Sequence, residues 1–108
     1  MSRIATVYAT FGNADEAASI ARTLVEERLA ACANILGPCR SIYWWQGKVE
    51  EAEEIAALFK TTAGSADALI ARLAEMHSYE VPAAVAWPIE AALPAYASWV
   101  EDETNTSR

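Results

Sequence analysis

The stretch from Ala30 to Lys60 constrains this chain most, because one ambiguity inside it decides the fold class. Ala30 to Trp45 has the composition of strand, interrupted by Gly37-Pro38. A proline without an N–H donor predicts a bulge or bend there, splitting a long strand in two. Beyond it, Ser41, Tyr43 and Trp45 share one face, and Ile42 and Trp44 the other. Gln46-Gly47 reads as a tight hairpin turn, since glycine tolerates positive φ. The next segment, Val49 to Lys60, is rich in helix formers, and propensity alone makes it a helix. Against that, Glu53, Ile55, Ala57 and Phe59 alternate with Glu54, Ala56, Leu58 and Lys60, and the Trp-rich strand needs a partner nearby. On the residues alone both readings stay open.

The flanks are plainer. Ile4 to Ala9 alternates with both faces largely apolar, as a central strand does. Phe11-Gly12-Asn13 breaks it, and Asn13 or Asp15 caps a helix with Ala17, Ile20, Ala21, Leu24 and Val25 on its inner stripe. Ser65 is the expected N-cap of a second helix, striped by Ala66, Leu69, Ile70, Leu73 and Met76 and ending near His77. Val81 to Ile89 reads as extended, with Pro82 and Pro88 near its ends. Leu93 to Val100 reads as a short helix with Pro94 in its first turn. The expected organisation is one domain over residues 1–102 and a frayed polar tail at 103–108. If Val49 to Lys60 is a strand, the order is β-α-β-β-α-β plus a short helix, an α+β, ferredoxin-like arrangement. Two helices then cover one face of the sheet, and aromatic residues on the other face need a partner.

Composition points the same way. The apolar fraction is 54%, with four Trp and four Tyr among 108 residues, above the usual ~45–50%. One small core hardly absorbs this, so a homo-oligomer with apolar interface is expected. Fifteen acidic residues against eight basic ones give a net charge of −7, and the basic residues are scattered singly. That excludes a phosphate-neutralising stripe for nucleic acid and disfavours anionic membranes. No window approaches the ~20 apolar residues of a membrane span, and no signal-peptide core is visible. Cys32 and Cys39, seven apart, form neither a disulfide framework nor half a zinc site. A soluble cytoplasmic protein with free thiols is expected.

Five blocks occur in order: Leu29-Ala30-Ala31-Cys32-Ala33-Asn34-Ile35, Ser41-Ile42-Tyr43-Trp44-Trp45-Gln46-Gly47-Lys48, Lys60-Thr61, His77-Ser78-Tyr79-Glu80-Val81-Pro82 and Tyr96-Ala97-Ser98-Trp99. Together they strongly resemble the CutA family of divalent-cation-tolerance proteins, over nearly the whole chain. The resemblance implies a ferredoxin-like fold, a homotrimer similar in architecture to the PII signalling proteins, and a long strand at Val49 to Lys60 paired across Gln46-Gly47. It implies an association with copper and other divalent metals but no enzyme reaction. The departures bear on metal. Ala9 precedes Thr10 where the family often has Cys, Ser78 stands where His-Pro-Tyr is typical, Ala83 replaces an acidic residue, and Gln46 replaces a common Glu. Losing donors at Ala9 and Ala83 counts against a family-type copper site.

Several residues carry the functional expectations. His77, the sole histidine, is the candidate ligand for Cu2+ or another divalent cation; otherwise it is a helix-end cation or a solvated surface residue. Lys60, Tyr79 and Glu80, with Trp45, are the candidate cluster at a subunit boundary, binding a small anion or holding the trimer together. Glu50, Glu51, Glu53 and Glu54 read as a solvated rim or a weak cation-collecting surface. Cys32 reads as a small buried hydrophobe and Cys39 as the more exposed thiol; neither has a neighbouring histidine base, which argues against nucleophilic catalysis. The expected function is a non-enzymatic trimer that needs no cofactor and acts as adaptor, sensor or weak metal binder, with an unidentified protein partner. The alternative is a PII-like sensor holding a small ligand at subunit clefts, although four glycines without clustering make no phosphate cradle. An acyl-phosphate hydrolase is the third reading; it lacks a visible anion-cradling loop.

Overall fold

Tertiary pairing overrides helix propensity at the segment that decides the fold. In the computed structural model, which describes residues 3–104, Lys48–Thr62 is a 15-residue strand. The elements run β1 (Ile4–Phe11), α1 (Ala14–Glu26), β2 (Cys32–Trp45), β3 (Lys48–Thr62), α2 (Ala66–Met76), β4 (Ala84–Pro88) and α3 (Pro94–Glu103). The sheet order is β2-β3-β1-β4, antiparallel at every junction. This is the split βαβ order with an added C-terminal helix.

The core explains why these segments fold as they do. Ala5, Val7, Ala9 and Phe11 of β1 meet Ala57 and Phe59 of β3 beneath Ala17, Ile20 and Leu24 of α1 and Leu69 and Leu73 of α2. A helix at residues 49–60 would scatter Ala57 and Phe59 around its circumference; the period of two places them side by side. Asn13 caps α1, its Oδ1 accepting the Glu16 N–H at 2.8 Å. Ser65 occupies the N-cap position of α2 but bonds nothing from its side chain. Its N–H is held instead by Thr62 Oγ1 at 3.1 Å.

Three boundaries differ from expectation. Gly37-Pro38 does not split β2: Leu36 is an extra residue between the pairs Ile35↔Ala57 and Gly37↔Ala56, so the strand bulges and continues. Gly37 takes φ 100° at that point, a conformation open to glycine. Pro82 lies outside β4, and Pro88 ends it on the sheet edge, where its missing donor costs no ladder bond. Finally, α3 runs through Glu103, and Thr104 is buried with its hydroxyl donating to Val100 O at 2.7 Å. Glu103 accepts from Arg28 at 2.9 Å. Those two residues are therefore packed, not frayed; the rest of the expected tail, 105–108, lies outside the described residues.

The sheet's second face is only partly covered. Ala97 and Val100 of α3 pack with Ile4 and Ala31 at one end. Toward the other end the β2–β3 hairpin extends beyond β1, whose last pair is Phe11↔Ile55. On that extension Ile42, Trp44 and Val49, which lie on the side of Ala57 and Phe59 but beyond the helices, are 64%, 74% and 60% exposed.

Candidate functional site

The bulge at Leu36 sets which hairpin side chains accompany Glu54. Because one residue is inserted, Cys39 comes opposite Glu54 and Tyr43 opposite Glu50, putting Cys39, Ser41, Tyr43 and Trp45 on the Glu54 side. Glu54 is only 8% exposed. It lines a groove of about 710 Å³ with Tyr8, Tyr43, Trp45, Tyr79 and Glu80. The expectation of a solvated rim thus holds for Glu50, Glu51 and Glu53, which are exposed, and fails for Glu54.

Tyr79 closes the groove through a relay that begins at the N-terminus of α1. Glu16, in the first turn of α1, accepts the Ser78 N–H at 2.7 Å and the Ser78 hydroxyl at 3.0 Å. Partial burial pushes the Glu16 carboxyl up, but these bonds, with the nearby His77 ring and the Gly12 N–H, outweigh it and hold the pKa below 4.5. With Ser78 fixed, the Tyr79 N–H donates to His77 Nδ1 at 3.1 Å. The Tyr79 hydroxyl donates to Glu54 Oε2 at 2.7 Å. Burial first, and then the Glu54 carboxylate, push the Tyr79 pKa well above its ordinary value, so its proton stays on the phenol. Gly12 leaves room for this ring: a Cβ there would lie 3.3 Å from the Tyr79 hydroxyl.

His77 sits at the heart of the relay, not at the surface. Its side chain is fully shielded, and its ring stacks on Phe11 with centroids 5.0 Å apart and planes 13° apart. Nε2 lies 2.8 Å from the Thr10 carbonyl, an acceptor only, while Nδ1 receives the Tyr79 N–H. Those partners select the tautomer with the proton on Nε2. Both nitrogens are engaged, so neither has a lone pair to offer a metal without breaking the relay. The solvated-surface reading gives way as well: the ring is buried, at the C-cap of α2, the expected helix-end position. Among the described residues no group of three or more His, Cys, Asp or Glu is placed to hold a metal ion. A metal centre does not fit the donor set of this single chain.

The other predicted residues separate. Trp45, Tyr79 and Glu80 come together at the groove. Lys60 lies six residues along β3 from Glu54, about 20 Å at ~3.3 Å per residue; its Nζ donates to Asn34 Oδ1 at 3.2 Å. It belongs to the opposite end of the sheet, opposite Thr6 and Cys32. Near it, Cys32 Sγ is 3.4 Å from the Tyr96 hydroxyl. Burial, then this thiol, push the Tyr96 pKa up to about 12. Cys32 and Cys39 are both free and half-buried. Sequence reasoning missed Glu54, Glu16 and Tyr8 as groove or relay residues. The available signal was Glu54's place in the period-two run ending at Lys60, which put it on the same face as Ala56 and Leu58.

Comparison with known proteins agrees with this architecture. The family model for CutA1, the divalent ion tolerance protein, matches residues 5–103. The chain belongs to the CutA1 family. It is 40% identical to the divalent-cation tolerance protein CutA of Pyrococcus horikoshii over 99 residues, covering 92% of this chain and 96% of the relative. The Thermus thermophilus relative is 43% identical over 99 residues with the same coverage. The mouse protein CutA is 38% identical, and the match spans 58% of its length. Among solved structures, CutA from Xylella fastidiosa superposes with a TM-score of 0.93 at 39% identity, covering 96% of this chain and all of that one. The structure of the periplasmic divalent cation tolerance protein CutA from Archaeoglobus fulgidus gives 0.91 at 36% identity, covering 94% and 99%.

Proposed function

We propose that this CutA1-family chain acts in divalent-cation tolerance as a cytoplasmic, non-enzymatic homotrimer with the overall plan of the PII proteins. The observation that carries the reading is the unpartnered sheet. Its two outer strands, β2 and β4, each leave one edge without a neighbour, and Ile42, Trp44, Val49, Val85 and Trp87 are exposed. Burying one such side chain stabilises by roughly 1.5–3 kcal/mol. Five or more per subunit offset an association cost on the order of 4–15 kcal/mol. A long edge on one side and a short edge on the other suit a head-to-tail contact, which closes into a ring. Free thiols at Cys32 and Cys39 support a reducing compartment.

Copper or another divalent cation acts on such a trimer weakly, through exposed carboxylates or groups that assembly brings together, and not through His77. The test is a calorimetric copper(II) and zinc(II) titration of wild type beside His77→Gln. Equal binding in both supports the reading; saturable binding lost in the variant, with its assembly mass unchanged, overturns it. An adaptor role toward another protein is consistent with the same exposed hairpin. The groove at Glu54 favours a second reading, a sensor in the manner of PII that holds a small ligand there. A thermal shift by any member of a panel of nucleotides, organic anions and amines supports it, and no shift across the panel counts against it.

A further inference from the structure

We propose that the groove takes an organic ammonium group, the cationic head of a small alkylamine, with Glu54 as its counter-charge and Tyr8, Tyr43 and Trp45 as its aromatic walls. The proposal rests on the small-ligand reading of the groove.

Glu54 is 8% exposed, and among the described residues its side chain's one hydrogen-bond partner is the Tyr79 hydroxyl on Oε2. Among the described residues no Lys, Arg or His forms an ion pair with it. The groove contains no basic residue at all, and its other ionisable carboxyl, Glu80, has the same sign. A shielded carboxylate without a cation is unfavourable, and an entering cation relieves it. The surroundings select the kind of cation. Hard divalent ions require six or more oxygen ligands, or a near-ideal octahedron. This groove offers one shielded carboxylate among four aromatic side chains: Tyr8, Tyr43, Trp45 and Tyr79. The faces of aromatic rings attract an ammonium group, and the rings give its alkyl chain an apolar lining besides. The volume of about 710 Å³ falls in the range of small-ligand pockets. Tyr79, locked by His77 and Ser78, keeps Oε2 occupied and leaves Oε1 as the oxygen for the ligand.

The experiment titrates the full-length protein with n-butylammonium chloride at constant ionic strength, read by calorimetry and by Trp fluorescence. The matched probes are sodium chloride, magnesium chloride and the neutral isostere n-butanol, and the variants are Glu54→Gln and Tyr43→Ala. Saturable binding of butylammonium is expected, weakened at least tenfold in Glu54→Gln, with butanol at least tenfold weaker on wild type. Glutamine keeps an acceptor for Tyr79, and the butanol comparison needs no variant. The proposal falls if sodium or magnesium reproduces the signal, if butanol binds as tightly, or if Glu54→Gln changes nothing. If adenosine triphosphate or inorganic phosphate saturates and butylammonium does not, the ligand class is wrong while the sensor reading stands. If nothing saturates, both fall.

Discussion

At His77 the two ring nitrogens are bonded within the chain, to the Thr10 carbonyl and the Tyr79 N–H, and this redirects expectation from metal binding to stability. His77→Ala leaves the buried Thr10 carbonyl without its donor, costs about 1–3 kcal/mol for that group alone, and removes the ring stacked on Phe11. Urea unfolding at fixed protein concentration measures it, and an unchanged midpoint contradicts the relay. Glu16 contributes a pH dependence of known sign. Its carboxyl is held below 4.5 in the folded chain, so its contribution is complete above that value and is lost as pH falls through the lower, folded-state pKa. Glu16→Gln is expected to lower stability at neutral pH and to flatten the decline below about pH 4.5 relative to wild type, as followed by thermal melts from pH 3 to 7. None of this was legible in the sequence, because His77 and Glu16 meet across 61 positions only once β1, α1 and α2 are packed. The motif His77-Ser78-Tyr79 marked the right place; the partners that define its chemistry are supplied by the fold.

The β2–β3 hairpin is the element on which propensity and pairing disagree most. Val49 to Lys60 holds helix formers worth a few tenths of a kcal/mol each, whereas pairing it between β1 and β2 satisfies its backbone and buries Ala57 and Phe59. Its turn was legible in full. Gln46 and Gly47 take φ 51° and 81°, the double positive φ of a tight hairpin turn. Gly47→Ala is therefore expected to cost about 1–2 kcal/mol, and Gln46→Asn to stabilise slightly, since asparagine tolerates this region better. Chemical denaturation of both variants checks the opposed signs. The bulge at Leu36 was legible as a break at Gly37-Pro38, though not as a continuous strand. Its consequence, the change of face that brings Tyr43 and Trp45 to Glu54, depends on the register with β3 and so could not be read from β2 alone.

For the whole molecule, the order of elements and the excess of apolar residues were both visible in the sequence, and the structure locates that excess. The helix-covered face holds the core, while Ile42, Trp44, Val49, Val85 and Trp87 stay exposed on the sheet. A chain with net charge −7 that leaves so much apolar surface uncovered calls for copies of itself, and Trp44→Asp or Ile42→Asp is expected to weaken assembly with little effect on the isolated fold. The central claim is tested most directly by the mass in solution. Size-exclusion chromatography with light scattering, from about 1 to 100 μM subunit, is predicted to give three times the chain mass of 11.7 kDa throughout, as for interfaces of obligate size. A constant mass of one chain would contradict the account, because the exposed hairpin would then be stable in water with no partner to cover it.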